Sequence, residues 1–196
     1  GDLDKQNLQK IKSYYHDISQ RKYSLINLDK KKKTYTSKKI EKKISEQQTY
    51  KPLCKWLEKY IKDNTGEESQ VFDTSAQTLN NYLRTNLDDF SIIEDKIKDL
   101  EDFDIRPDVV GISNHSSKLF FIESKVVALG IKEVGQLWAY SVIANPETSF
   151  LISTSAISSS YLKIISNNPE FLDFTNEKRI KMGFLKKSGD VEIYND

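Results

Sequence analysis

The sequence predicts a mixed α/β domain, a central sheet with helices on its faces, preceded by an N-terminal helical arm. Three observations carry this. The first sixty residues repeat apolar side chains with helical spacing. Two apolar runs on either side of a short polar turn, at 106–113 and 118–127, read as a β-hairpin. After the hairpin, helix and strand patterns alternate, as they do where helices pack on a sheet.

Leu8, Ile11, Tyr15 and Ile18 mark a first amphipathic helix over 4–20. The run Lys30-Lys31-Lys32-Lys33 has no apolar face and reads as an exposed connector. A second helix is expected over 38–63, with Ile40, Ile44, Leu53, Trp56, Leu57, Tyr60 and Ile61 as its apolar positions. Pro52 should kink or restart it near Tyr50, with Ser45 or Thr49 as the new cap. Asp63-Asn64-Thr65-Gly66 is a stop signal. Next come a short strand over 69–75 and a helix over 76–88 carrying Leu79, Tyr82, Leu83 and Leu87; Ser91-Ile92-Ile93 is an ambiguous apolar patch. Asn114-His115-Ser116-Ser117 is the hairpin turn by composition. A helix over 130–145 ends at Asn145-Pro146. A strand over 148–154 follows, then a helix over 155–166 stopped by Asn167-Asn168-Pro169. The chain closes with a strand pair at 180–185 and 191–194 around Ser188-Gly189-Asp190. The strand–helix–strand step through 118–154 implies a right-handed crossover. The expected division is an arm over 1–44 and a folded domain over 45–196.

Composition narrows the function. The 196 residues carry a formal net charge of +1, but the charges are not evenly spread. Residues 1–65 hold 17 basic and 8 acidic side chains, residues 66–110 hold 4 and 12, and residues 111–196 hold 9 and 9. Such asymmetry marks either a polyanion-binding arm or a solvated helix surface. No apolar run approaches the roughly 20 residues of a membrane span. The opening residues lack the pattern of a cleaved leader. The single cysteine, Cys54, excludes an internal disulfide and a cysteine-cluster zinc site; it reads as a buried thiol in a reducing, cytoplasmic compartment. His16 and His115 are too few for a histidine-rich metal centre, and His115 falls in a turn. Neither a phosphate-binding Gly-rich loop nor a nucleophile elbow is present.

One fragment stands out: Arg106-Pro107-Asp108, then Glu123-Ser124-Lys125. In a strand, alternate residues share a face, so Glu123 and Lys125 point the same way, and Ile122, Ser124 and Val126 the other. Two ionisable groups thus interrupt an apolar strand, where unpaired charge costs several kcal/mol. Counting across the turn puts Asp108 opposite Glu123 or one residue away. Two carboxylates so placed repel, and a divalent cation resolves that repulsion; Mg²⁺ is usually held by one or two protein carboxylates. A neighbouring ammonium can stabilise a phosphate or help activate water. The pattern points to metal-assisted phosphodiester hydrolysis.

Pro107-Asp108…Glu123-Ser124-Lys125 resembles the signature of the PD-(D/E)XK nuclease superfamily, with its restriction-endonuclease-like fold. The resemblance covers about residues 45–154. It implies that Asp108, Glu123 and the Ser124 carbonyl bind Mg²⁺, with Mn²⁺ as a substitute, and that Lys125 positions or activates the attacking water. It implies a further acid on the preceding helix, for which Glu46 matches best and Glu58 is the alternative. Gln136 and Tyr140, spaced as Gln-x-x-x-Tyr, resemble a variant of RecB-like and Cas4-like members. Gln136 is then expected at the catalytic centre and Tyr140 at the nucleic acid. The expected function is a DNA endonuclease, with RNA less favoured. Lys30, Lys31, Lys32, Lys33, Lys38, Lys39, Lys42 and Lys43 would neutralise phosphates, and a cut in both strands would favour a homodimer. Two other readings stay open. One is a nuclease-fold binding or assembly module that has lost cleavage. The other is an α/β domain whose basic arm binds a protein.

Overall fold

The sheet is built around the strand Leu119–Lys125, buried from Leu119 to Ser124 and half-buried at Lys125. The computed structural model describes residues 45–86 and 103–194. Helix α1 (Gln47–Thr65) leads into β1 (Ser69–Asp73), α2 (Leu79–Asn86), β2 (Val109–Ser113) and β3 (Leu119–Lys125). Helix α3 (Ile131–Ala144), β4 (Thr148–Ser153) and α4 (Ser159–Asn167) follow. A 3-10 turn (Pro169–Leu172), β5 (Ile180–Leu185) and β6 (Val191–Ile193) complete the order. The six strands lie in sequence order across one mixed sheet. Strands β1, β2 and β3 are antiparallel neighbours, β3, β4 and β5 run parallel, and β6 returns antiparallel.

Period-2 alternation sends each strand's side chains to two separate cores. Val109, Phe120, Ile122, Phe150 and Ile152 face α1, which answers with Tyr50, Leu53, Leu57 and Ile61. Val110, Phe121, Leu151, Ile180 and Met182 face α2, α3 and α4 on the other side. Gly111 belongs to the α1 side, and a Cβ there would lie 2.7 Å from Ile61 Cδ1. The missing side chain lets the helix settle directly onto the sheet.

Several boundaries move from their expected places. Helix α1 runs through Pro52 to Thr65 instead of restarting. The proline sits close to the helix start, so it costs one bond near an end while the stripe below it stays buried. Glu46 is the cap residue, and Ser45 N donates to the Gln48 side chain at 2.9 Å. Gly66 closes the helix in the left-handed region with φ 74°. Strand β2 starts at Val109, three residues later than expected. Pro107 has no N–H for a ladder, and the backbone there is held by Thr74, whose hydroxyl donates to Pro107 O at 2.5 Å and whose N–H donates to Asp108 O at 3.0 Å. Helix α4 starts at Ser159 because Ser153 and Ser155 turn back to bond the carbonyls of Val127 and Val126, and Ser158 takes the cap. Cys54 and Trp56 are only half-buried. The helix at 4–20, the lysines from Lys30 to Lys43, Ile40, Ile44, Leu87 and the patch at Ser91-Ile92-Ile93 lie outside the described residues.

Candidate active site at the end of β3

Strands β3 and β4 run parallel, and the crevice beyond the carboxyl ends of parallel strands is the usual ligand position in α/β sheets. The chemistry-bearing residues gather there. Val109 pairs with Ile122, so the register sets Asp108 opposite Glu123. The hairpin thus places the two carboxylates side by side.

Each acid is held differently. Ser124 N donates to Asp108 Oδ2 at 2.7 Å, and the Tyr50 hydroxyl donates to Oδ1 at 3.0 Å. Glu123 Oε1 accepts from Lys125 Nζ at 2.8 Å and from Gln136 Nε2 at 2.9 Å. Its other oxygen, Oε2, is buried and has no hydrogen-bond partner among the described residues. Buried polar atoms are nearly always satisfied; of the few described side-chain atoms that are not, Ser69 Oγ and Asn80 Oδ1 among them, this oxygen is the one carried by a carboxylate. Lys125 Nζ also lies 3.9 Å from Glu46 Oε1 and 4.0 Å from Asp108 Oδ2. One ammonium therefore stands among three carboxylates, leaving net negative charge in a site where Glu123 is 3 % exposed.

The protonation equilibria follow. Burial, then the neighbouring Asp108 carboxylate, push the Glu123 pKa up to about 7. Burial also raises that of Asp108, against the opposing Ser124 N–H. For Lys125, burial alone would favour the neutral amine, but the Glu123 carboxylate and its hydrogen bond outweigh it and hold the pKa above its usual value.

Of the residues singled out from sequence, Asp108, Glu123, Ser124, Lys125, Gln136 and Glu46 come together. Glu58 is exposed further along α1 and is not among them. Tyr140 is half-buried, with its hydroxyl 3.5 Å from Gln136 Nε2. Two residues were missed as site components. Tyr50 tethers Asp108, and Thr49 locks Ser124. The Thr49 hydroxyl donates to Glu46 O at 2.5 Å, so in the 2.6 Å contact with Ser124 Oγ it must accept. The periodicity of Tyr50, Leu53, Leu57 and Ile61 could have shown Tyr50 on the buried stripe, where its hydroxyl needs a partner.

The donor set suits a hard divalent cation. It offers carboxylate oxygens, one of them buried and unpartnered, and no soft ligand. Among the described residues no three acid, histidine or cysteine side chains form a ready-made metal cluster. Two carboxylates are enough for Mg²⁺, which keeps several waters. No described helix is long and apolar enough to cross a membrane. Comparison with protein-family models, curated proteins and solved structures finds no match to this chain.

Proposed function

We propose that this chain is a metal-dependent phosphodiesterase, a nuclease of the PD-(D/E)XK type with a restriction-endonuclease-like fold, acting on DNA. The observation that carries the reading is the buried, unpartnered Glu123 Oε2 beside Asp108, with Lys125 bonded to the same carboxylate. Asp108, Glu123 and the Ser124 carbonyl would hold Mg²⁺ or Mn²⁺. When bound, the cation would supply Lewis-acid stabilisation of charge at the scissile phosphate.

The chain's own residues do the rest. Gln136 and Lys125 both donate to Glu123 Oε1, which fixes that carboxylate with Oε2 as its open ligand atom. Tyr50 and Ser124 N fix Asp108 through both of its oxygens, one donor on each. Lys125 has three N–H donors, so beyond Glu123 it can orient the attacking water or bind a phosphate oxygen. Glu46 adds a third negative charge that keeps this ammonium in place.

A plasmid-nicking assay with Mg²⁺ tests the reading. Wild-type protein should nick, and Asp108→Ala and Lys125→Ala should each lose roughly 10²–10⁴-fold in rate, the scale of a lost acid–base or positioning group. Cleavage unchanged in both variants overturns the assignment. DNA binding by the wild type without any cleavage favours the silent binding module.

A further inference from the structure

A groove of about 490 Å³ runs between α1 and the β5–β6 turn, with Lys51, Lys55, Lys59, Trp56, Gly189 and Asp190 on its walls. The three lysines stand at i, i+4 and i+8 on one helix face and rise about 6 Å per step. All three are exposed. Among the described residues they form no ion pair or side-chain hydrogen bond. Like charges four apart on a helix repel, so this row favours an anion in the groove. Among the described residues Asp190 is the one acid on the walls, and its carboxylate is engaged by the Ser188 hydroxyl at 2.8 Å.

Trp56 lies among these charges, half-buried. Phe150 meets its ring edge-on at 5.0 Å and Tyr60 flanks it at 5.4 Å, which holds the ring rigid. A basic track with an aromatic ring in it is how proteins grip single-stranded nucleic acid without reading its sequence. The groove also starts on the helical turn of α1 that serves the candidate site, since Lys51 follows Tyr50, whose hydroxyl holds Asp108.

We propose that this groove is a track for one nucleic-acid strand, with Lys51, Lys55 and Lys59 on its phosphates and Trp56 against a base. The direction of the track, outward from the carboxylates, rests on the nuclease reading; binding along it does not require cleavage.

The test measures anisotropy of a fluorescein-labelled oligothymidylate in EDTA, over a range of salt, with the full chain. Loss of three phosphate contacts should reduce the slope of log K against log salt by about 2 in K51Q/K55Q/K59Q. The exposed-lysine control K132Q/K163Q should keep the wild-type slope, and Trp56→Phe should weaken binding without changing the slope. An unchanged slope in the triple variant overturns the track. So does displacement of the oligonucleotide by poly-glutamate as effectively, charge for charge, which would assign the groove to an acidic protein. Nicking by wild-type protein with an unchanged triple-variant slope removes the track and leaves the nuclease. Lysine-dependent binding without nicking removes the nuclease and leaves the track.

Discussion

The two ends of β3 carry charge clusters of similar make-up and opposite logic. At its start, Lys118 and Lys178 flank Glu147, at 2.7 and 4.0 Å, with all three side chains 26–41 % exposed. At its end, Lys125 stands among Glu123, Asp108 and Glu46, with Glu123 3 % exposed and one of its oxygens unpartnered. The first cluster has its anion covered by cations and its charges in water. The second has more anion than cation, with Asp108, Glu123 and Lys125 withdrawn from water and Glu46 at its rim. Only the second holds free energy that an incoming cation could release. Charge imbalance under burial, more than the presence of charged residues, separates a site from a surface.

The sharpest way to break this contrast is through pH. Glu123 titrates near 7 in the folded chain against an ordinary 4.5. The folded state therefore holds a proton that the unfolded state releases. Its stabilising effect is complete below about pH 4.5 and is lost as pH rises through 7. Thermal unfolding in EDTA should show stability falling over that window, by an amount on the order of a few kcal/mol. Glu123→Gln should flatten the profile and raise Tm at pH 8. Mg²⁺ should restore Tm at pH 8 in wild type and not in this variant. A wild-type profile that is flat from pH 5 to 8 would refute the strained carboxylate.

The next largest effect concerns how the acids are held. Tyr50 is 6 % exposed and donates to a carboxylate, and hydrogen bonds to charged groups contribute roughly 1.5–3 kcal/mol. Tyr50→Phe should lower stability by about that much in denaturant titrations at pH 8. It should also slow nicking, since Asp108 keeps only its bond from Ser124 N. Full stability in this variant would mean the tether contributes nothing.

How much of this was legible depended on sequence separation. Asp108 and Glu123 lie on one hairpin with a short turn, so counting alone set them opposite each other or one residue apart, and the observed register chooses the first. The alternation of Phe120, Phe121 and Ile122 fixed which residues share a face. The contribution of α1 was harder to read, because Tyr50 reaches Asp108 across 58 residues and Thr49 reaches Ser124 across 75. Pro52 also reads as a break just where those two side chains enter the site. Local rules locate an interruption from proline chemistry; they do not weigh it against a stripe of Leu53, Leu57 and Ile61 buried below it. The 3-10 turn at Pro169–Leu172 escaped notice for a related reason, since four residues are too few to show a period.

The smallest effect belongs to the other end of β3. Lys118→Ala should change stability by under about 1 kcal/mol, the range of exposed ion pairs, and should leave nicking at the wild-type rate. Glu147 would still have Lys178 at 4.0 Å, and its backbone N–H donates to Leu119 O at 2.7 Å whatever its side chain does. Lys178→Ala should cost more than Lys118→Ala. Its ammonium also bonds Asn145 O, Asn145 Oδ1 and Pro146 O, at 3.0–3.3 Å, where α3 ends. Carbonyls at a helix C-terminus need donors, and a lysine there also offsets the helix dipole. Chemical denaturation of the two variants side by side measures the order. If Lys118→Ala proved as damaging as Glu123→Gln is stabilising, the two ends of β3 would be alike, and the imbalance at the carboxylates would lose its meaning.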